Sequence, residues 1–370
     1  MIINLRSSNE LSGFYIIWEG STNLEKKGWY GIAHLCEHLQ TKMIDHLQED
    51  FDRDGIEWNL WTSSNEICMY IKGLDNKVDK WKHIIMDLMF EFKITKEEFE
   101  NERKIVLEEM ADSFNEQTQC HMLNLSRKLF GDFSPIGLKE DLKKLKFIDI
   151  INFWELQYSK PTKIINVSKN KPYKNKTIDF ADRTIVKNIS YGNHNVPFEL
   201  GNEFKDKSSL IMLSPIIEED FAYVHFINAM LSLGLKSPLY TEIREKRGLV
   251  YYVHCYQSRM NQQGINTIST QTSNRNFNAV VEATKLVLDN PKKYLTKDRF
   301  NLIKDYYTVR KQKDEILRYE NVNQFINPKG WSVYDILDEV NLKKIMEVYD
   351  KYYQFDNFYI SNDKKEFSKK

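Results

Sequence analysis

The sequence predicts a protein of mixed α and β structure that is built from two similar halves. Short apolar segments alternate with segments whose apolar residues recur every three or four positions, and these are the patterns of strands and of helices. The same mixture appears in both halves of the 370-residue chain. A polar stretch with weak periodicity separates the halves, so we expect an internal structural duplication.

Strands and helices are predicted to follow one another along the first half. The predicted strands are 14–20, 67–74 and 162–168, and the predicted helices are 31–48, 76–92, 96–115 and 141–158. The helix at 96–115 begins with a capping box, because Thr95 is a suitable N-cap and Glu98 follows three residues later. Its spacing predicts that Phe99, Val106, Leu107 and Met110 point inward.

The second half repeats this order after a predicted linker at 171–206. Its predicted strands are 209–215, 249–258 and 264–272, and its predicted helices include 221–234, 237–248 and 277–289. We therefore expect a first domain over residues 1–170 and a second over residues 207–370.

The composition is typical of a soluble globular protein and excludes several function classes. Lysine plus arginine equals aspartate plus glutamate at 53 each, so no net charge attracts nucleic acid or an anionic membrane. No apolar run approaches the roughly 18 to 20 residues that a membrane helix needs. The first twenty residues lack the pattern of a secretion signal, and the four scattered cysteines argue against a disulfide scaffold and a cysteine zinc site. A cytoplasmic location is expected.

The stretch GIAHLCEHLQTKMIDHL, residues 31–47, carries the chemistry that stands out. On a helix, His34 and His38 are one turn apart and share a face, with Glu37 beside them. Two imidazoles could reach one zinc ion while the carboxylate stays near its water, and the order H-x-x-E-H is the inverse of the commoner zinc motif. The alternative is chance, with each histidine buried and hydrogen-bonded; three such residues together make that the minority interpretation.

A third zinc ligand is predicted in the helix at 96–115. Glu102 and Glu109 are seven residues apart and therefore lie on one face, beside apolar residues that should be buried. Glu108 lies about 100° further round the helix and is the weaker candidate. The alternative for an acid-rich helix is a face exposed to solvent. That alternative fits Glu97, Glu98 and Glu100 well, and it fits Glu102 and Glu109 less well.

These residues carry a resemblance to a known family. HLCEH, followed about seventy residues later by ERKIVLEE, is similar to the M16 zinc metallopeptidases, the pitrilysin/insulinase family that includes the mitochondrial processing peptidase. WEGSTNLEKKGWYGIAHLCEHL resembles the strand, turn and active-site helix of that family, and SLGLKSPLYTEIREKRGLVYYV resembles its second-domain signature. The resemblance covers roughly residues 12–170 and 208–257.

The resemblance implies a fold and a set of roles. It implies an α+β chain of two similar domains, each a mostly antiparallel sheet packed with helices, in the LuxS/MPP-like metallohydrolase fold. It implies one Zn²⁺ per chain with three ligands, a general base and an acid that orients the site. The ligands would be His34, His38 and Glu109, the base Glu37, and the orienting acid Glu102.

Substrate contacts are implied in both halves. Arg244 and Tyr251 are spaced as the family's substrate-contacting pair, although spacing alone would suit an exposed helix charge and a strand aromatic. Asn59 to Thr62 would form a strand edge that accepts an extended peptide, and Leu60 stands where the family usually has alanine.

We therefore expect a zinc-dependent endopeptidase that cleaves short or unfolded polypeptides. Because H-x-x-E-H does not recur after residue 200, the second domain would be non-catalytic, and the resemblance implies a homodimer or a heterodimer with another M16 subunit. One alternative is a non-catalytic or partner-dependent subunit with a structural or peptide-binding role. Another is a metal-dependent hydrolase of substrates other than peptides, which the second-domain signature disfavours.

Overall fold

A computed structural model provides the coordinates, and it describes residues 1–7, 10–130, 135–169, 172–175, 177–182, 206–260, 263–313 and 332–363. These residues form two compact units. The first contains the described residues up to Asp112 and those between 126 and 182. The second contains residues 113–125 and the described residues from 206 onward.

The first unit is a sheet covered by helices. Its strands are β1 (Ile2–Arg6), β2 (Leu11–Glu19), β3 (Glu57–Thr62), β4 (Glu66–Leu74) and β5 (Lys163–Ser168). Its helices are α1 (Ile32–Ile44), α2 (Gln48–Asp54), α3 (Asp75–Met89), α4 (Lys96–Asn115), α6 (Lys139–Lys144) and α7 (Phe147–Gln157), while α5 (Gln117–Phe130) has its first residues in the second unit. Within the described residues the strand order is β1-β5-β2-β4-β3, so β3 lies at an edge.

This sheet is antiparallel except at one pair. β2 pairs antiparallel with β4 and β5, β3 pairs antiparallel with β4, and β1 pairs parallel with β5. β2 is almost wholly buried because it is central and both of its faces are covered, which explains why Phe14–Trp18 is a continuous run of apolar residues.

The second unit has a sheet of its own. Its strands are β6 (Lys207–Ile216), β7 (Val250–Met260), β8 (Gln263–Ser273) and β9 (Tyr359–Asn362), in the antiparallel order β7-β8-β6-β9 among the residues described. The helices are α8 (Phe221–Ser232), α9 (Phe277–Leu288), α10 (Pro291–Tyr294), α11 (Lys297–Lys313) and α12 (Leu342–Tyr352). Each unit thus has a mostly antiparallel sheet with helices, so the predicted α+β fold class is confirmed.

Three predicted helices differ from the structure, and the first of them, predicted over 31–48, ends at Ile44. The helix predicted over 141–158 is divided between α6 and α7, because Leu145 and Lys146 have extended backbone angles and the Asp149 carboxylate accepts a hydrogen bond from the Lys146 N–H (2.9 Å). The helix predicted over 237–248 contains a π-helical segment, Tyr240–Glu245. Helices α2 and α5 and strands β1 and β9 were not predicted, since α2, β1 and β9 are short and none of the four shows a clear apolar period.

The predicted linker, 171–206, lies largely outside the described residues. Its described beginning is attached to the first unit, where the ring of Tyr173 packs on Phe14 with centroids 5.0 Å apart. The domain boundaries proposed from the sequence stay predictions. None of the helices in the described part of the chain is both long and apolar enough to cross a lipid bilayer.

Candidate metal centre

Helix α1 presents a polar stripe on an otherwise buried surface. Its apolar residues are buried at Ile32, Ala33, Leu35, Cys36, Leu39, Met43 and Ile44. His34, Glu37 and His38 occupy the remaining face and are only partly exposed. Apolar packing therefore holds the helix in place, and its three polar side chains lie together on the side that is not packed.

The N-terminus of α1 is fixed by a buried carboxylate. Gly31 is the N-cap residue with φ of 100°, a left-handed conformation that favours glycine. A side-chain oxygen of Glu25 accepts hydrogen bonds from the N–H groups of Gly31 (3.1 Å) and Ala33 (3.0 Å). A negative charge at this end also interacts favourably with the helix dipole.

Helix α4 supplies the two acids. The predicted capping box is present, because the Thr95 hydroxyl accepts from the Glu98 N–H (3.2 Å) and the Glu98 carboxylate accepts from the Thr95 N–H (2.7 Å). Phe99, Val106 and Met110 are buried as predicted, whereas Leu107 is only partly buried.

The two predicted acids of α4 differ in exposure. The Glu102 side chain is only 6% exposed, but that of Glu109 is 48% exposed, so the alternative of a solvated face fails for Glu102 and describes Glu109 better than the sequence indicated. Glu102 is buried together with Phe99 and Val106, so the exposure of the two acids is set by what packs on each turn of α4 and not by their shared face. Glu108 is exposed and outside the cluster.

Three potential ligand atoms converge where α1 meets α4. One carboxylate oxygen of Glu109 lies 3.7 Å from Nε2 of His34 and 3.3 Å from Nε2 of His38. One ligand atom from each of the three residues lies within 4.8 Å of the other two. The structure therefore brings together the three side chains that the sequence proposed as zinc ligands.

The donor set and its surroundings fit a zinc ion. Two imidazole nitrogens and one carboxylate oxygen are the ligands of many catalytic zinc sites. The Nδ1 atom of His38 lies 3.3 Å from Oε2 of Glu102, which leaves Nε2 directed at Glu109. A histidine that binds a metal through one nitrogen usually donates its other N–H to such an acceptor.

The protonation of His34 also suits a ligand. Burial lowers the pKa of His34 to about 4, and the neighbouring His38 lowers it further while Glu109 opposes the change. The imidazole is therefore neutral near pH 7, and a neutral nitrogen has the lone pair that a metal needs.

Glu37 lies beside this cluster without belonging to it. Burial raises the pKa of the Glu37 carboxyl, and Thr62 of β3 and the charge of His38 partly offset this effect. A raised pKa suits a group that must accept and then release a proton.

Strand β3 borders the centre with an edge. It pairs with β4, and its other side has no strand partner in the described residues. Asn59 is exposed, whereas Leu60 is buried and points to the opposite face of the sheet. The predicted strand edge at 59–62 is thus present.

Arg244 and Tyr251 lie in the second unit and contact each other. The guanidinium of Arg244 lies 5.0 Å from the ring centroid of Tyr251 and 4.6 Å from that of Tyr240. Tyr251 is 79% exposed. The π-helical segment that carries Arg244 is braced by Glu242, which accepts hydrogen bonds from Lys246 and Tyr294 and pairs with Arg247.

Sequence reasoning missed two residues next to the centre. Glu25 could not be identified from the sequence, because a single acidic residue in a loop belongs to no periodic pattern. Lys42 could have been identified, because it follows His38 by four residues and therefore lies on the same stripe of α1. Its Nζ lies 3.6 Å from Oε1 of Glu102 and 2.8 Å from Asp45.

Two descriptions of known protein families match parts of this chain. Residues 16–134 match the family described as "Insulinase (Peptidase family M16)", and residues 121–307 match "Peptidase M16 inactive domain". The centre of α1 and α4 lies in the first match, and Arg244 and Tyr251 lie in the second.

Individual relatives are distant. An "Uncharacterized zinc protease" of Rickettsia felis is 25% identical over 264 residues, which are 66% of this chain and 64% of the relative, so the match spans less than two thirds of that protein. The Arabidopsis thaliana "Probable mitochondrial-processing peptidase subunit beta, mitochondrial" is 23% identical over 172 residues, 44% of this chain and 32% of the relative.

Solved structures show the same fold. The crystal structure of a protease from Helicobacter pylori superposes with a TM-score of 0.75 at 15% identity, covering 98% of this chain and 96% of that one. This likeness concerns the fold, and the matches to both halves of the chain show the family. The chain belongs to the insulinase family, peptidase family M16.

Proposed function

We propose that this protein is a zinc-dependent endopeptidase that hydrolyses peptide bonds in short or unfolded polypeptides. The observation that carries the proposal is the convergence of His34, His38 and Glu109, with Glu37 on the same helix next to His38. The relative from Rickettsia felis, described as a zinc protease, supports the same reaction class.

His34, His38 and Glu109 would hold one Zn²⁺ ion. A zinc ion supplies Lewis-acid chemistry, which polarises a carbonyl and makes water more acidic. Glu102 orients His38 by accepting a hydrogen bond from Nδ1, so that Nε2 stays directed at the ligand cluster.

Glu37 would act as the general base. Its carboxylate accepts a proton from the attacking water and passes that proton to the leaving amine. It is the neighbour of His38 on α1, and burial raises the pKa of its carboxyl, which makes it a stronger proton acceptor than an exposed glutamate. Groups of this kind contribute about 10²- to 10⁴-fold to the rate.

The substrate would bind as an extended strand. The open side of β3, with Asn59 and Leu60, offers backbone groups for pairing, and such pairing recognises the peptide main chain more than its side chains. Arg244 and Tyr251 of the second unit would hydrogen-bond the substrate backbone.

Replacing Glu37 by glutamine tests the reaction. We expect Glu37→Gln to retain zinc and its melting temperature but to lose at least about 100-fold in cleavage of an unstructured peptide. Glu109→Gln is the matched variant for the metal, and it should lose zinc, measured by atomic emission after dialysis. A zinc-loaded wild type without peptidase activity, alone or with a second M16 subunit, would refute the proposal.

A partner subunit is part of the proposal. The Arabidopsis relative is named as a subunit, and the resemblance implies that one chain supplies half of an enclosing enzyme. We propose a homodimer or a heterodimer with another M16 chain. Light scattering of the purified protein, with and without the products of neighbouring genes, decides between them.

A further inference from the structure

Lys42 lies in the last turn of α1. His34, His38 and Lys42 are spaced by four residues and therefore form one stripe along the helix. The first two belong to the candidate metal centre, and the third points in the same direction toward α4. Its contact there is with Glu102 rather than with a ligand.

Glu102 is a buried carboxylate whose two oxygens face different groups. Oε2 lies 3.3 Å from Nδ1 of His38, and Oε1 lies 3.6 Å from Nζ of Lys42. The carboxylate lies in an apolar stripe of α4, between Phe99 and Val106. A charge in such surroundings is costly unless it is paired.

A metal at the centre changes which group can balance Glu102. A histidine that binds a metal is a neutral imidazole, so His38 offers Glu102 a hydrogen bond but no charge. When His38 is neutral, the ammonium of Lys42 is the positive charge that lies within 4.0 Å of Glu102 among the residues that the structure describes. Lys42 itself is accessible, with 41% of its side chain exposed, so it keeps contact with water while one side faces the acid.

We propose that Lys42 is a positioning residue for the metal centre, which holds Glu102 in place against His38 and thereby strengthens Zn²⁺ binding. The proposal rests on the function proposed above. Without the ammonium, the buried carboxylate loses its counter-charge and turns away toward solvent. His38 then loses the acceptor that orients its ring, and disruption of such outer partners typically weakens metal binding by about 10- to 100-fold.

Zinc affinity, measured by chelator competition with Zn²⁺ alone, tests this role. We expect Lys42→Met to weaken binding about 10-fold. Lys42→Arg, which keeps the charge, should stay within about threefold of the wild type. Melting temperatures of the metal-free proteins are measured alongside, so that a loss of folding stability is not mistaken for a loss of zinc affinity.

Two further variants separate this role from a purely structural one. Lys42 also pairs with Asp45 at the end of α1 (2.8 Å), so Asp45→Asn is the matched control and should leave zinc affinity unchanged. The double variant Lys42→Met with Glu102→Gln should bind zinc no more weakly than Glu102→Gln alone, because both changes interrupt one chain of contacts. The absorption bands of the Co²⁺-loaded Lys42→Met protein should shift relative to wild type.

The outcomes distinguish this proposal from the proposed function. If the wild type binds no zinc, the metal centre itself is refuted. If the wild type binds zinc and Lys42→Met binds it equally well, only the role of Lys42 is overturned. Additive losses in the double variant, or an equal loss in Asp45→Asn, also overturn it.

Discussion

Glu25 shows how one buried side chain positions the candidate centre. It is 3% exposed, and one of its oxygens accepts hydrogen bonds from two backbone N–H groups at the start of α1. Those groups have no partner within the helix, so the carboxylate satisfies them and sets where the helix begins. His34 follows Gly31 by three residues, and the direction of its ring therefore depends on this anchor.

Replacing Glu25 by alanine should destabilise the protein. The change leaves two buried N–H groups without their acceptor, so we expect the free energy of unfolding to fall by about 2–3 kcal/mol, measured by urea denaturation. Glu49→Ala removes an exposed acid in α2 and should change it by less than about 0.5 kcal/mol. Equal stabilities of the two variants would contradict the anchoring role.

At the scale of elements, α1 is held by a close approach of two backbones. Gly31 at its N-cap and Gly137 before α6 both have positive φ, 100° and 72°. A Cβ atom on Gly137 would lie 2.2 Å from Cα and 2.4 Å from the nitrogen of Gly31. Only glycine fits such a contact, because neither backbone segment can move without displacing a helix.

Gly137→Ala should therefore be strongly destabilising. We expect a loss of about 3 kcal/mol or more, since overpacking adds to an unfavourable backbone conformation. Gly28→Ala is the matched control, because Gly28 also has positive φ (89°) but nothing lies within 4 Å of its added Cβ. Its cost should be about 1–2 kcal/mol. A Gly137 variant as stable as the Gly28 variant would show that the helix start can shift.

The helices and strands differ in how well their sequences predicted them. Helix α4 was predicted from residue 96 to 115 because its capping box and its apolar stripe are local signals. The division between α6 and α7 was not predicted. The apolar period of the sequence continues across Leu145, but the helical backbone is interrupted there. In the π-helical segment Tyr240–Glu245, Glu242 accepts a hydrogen bond from Tyr294, which is 52 positions away, and no local pattern encodes that contact.

At the scale of the whole molecule, stability depends on pH through a histidine far from the proposed site in sequence. His225 of α8 packs against Tyr307 of α11, with ring centroids 5.5 Å apart. Burial, followed by the charge of Arg310, lowers the pKa of His225 to about 4 from an ordinary value of 6.5. The unfolded chain therefore binds a proton below pH 6.5 that the folded chain does not bind until pH about 4.

The sign of the effect follows from this difference. Because the unfolded state takes up more protons between pH 6.5 and 4, the free energy of unfolding should fall as the pH falls through that window. One such group contributes at most about 1.4 kcal/mol per pH unit. His225→Phe keeps an aromatic ring but removes the group that binds the proton. The free energy of unfolding of this variant, measured by urea titration, should therefore fall less over the same pH window. Parallel curves for the two proteins would contradict the assignment.

The sequence by itself determined which side chains share a helix face. His34, Glu37 and His38 lie together because a helix turns every 3.6 residues, and Glu102 and Glu109 align for the same reason. The family resemblance rested on those residues and on the stretches of both halves that surround the predicted site. These are local properties of the chain, and they hold wherever the two helices are placed.

Only the tertiary structure decided how the two faces meet. His38 and Glu102 are 64 positions apart, and their 3.3 Å contact depends on how α1 and α4 pack within the first unit. The same packing left Glu109 half-exposed, buried Glu102 and placed Lys42 against it. Distance and burial arise from contacts between segments remote in the chain, and no local period contains that information.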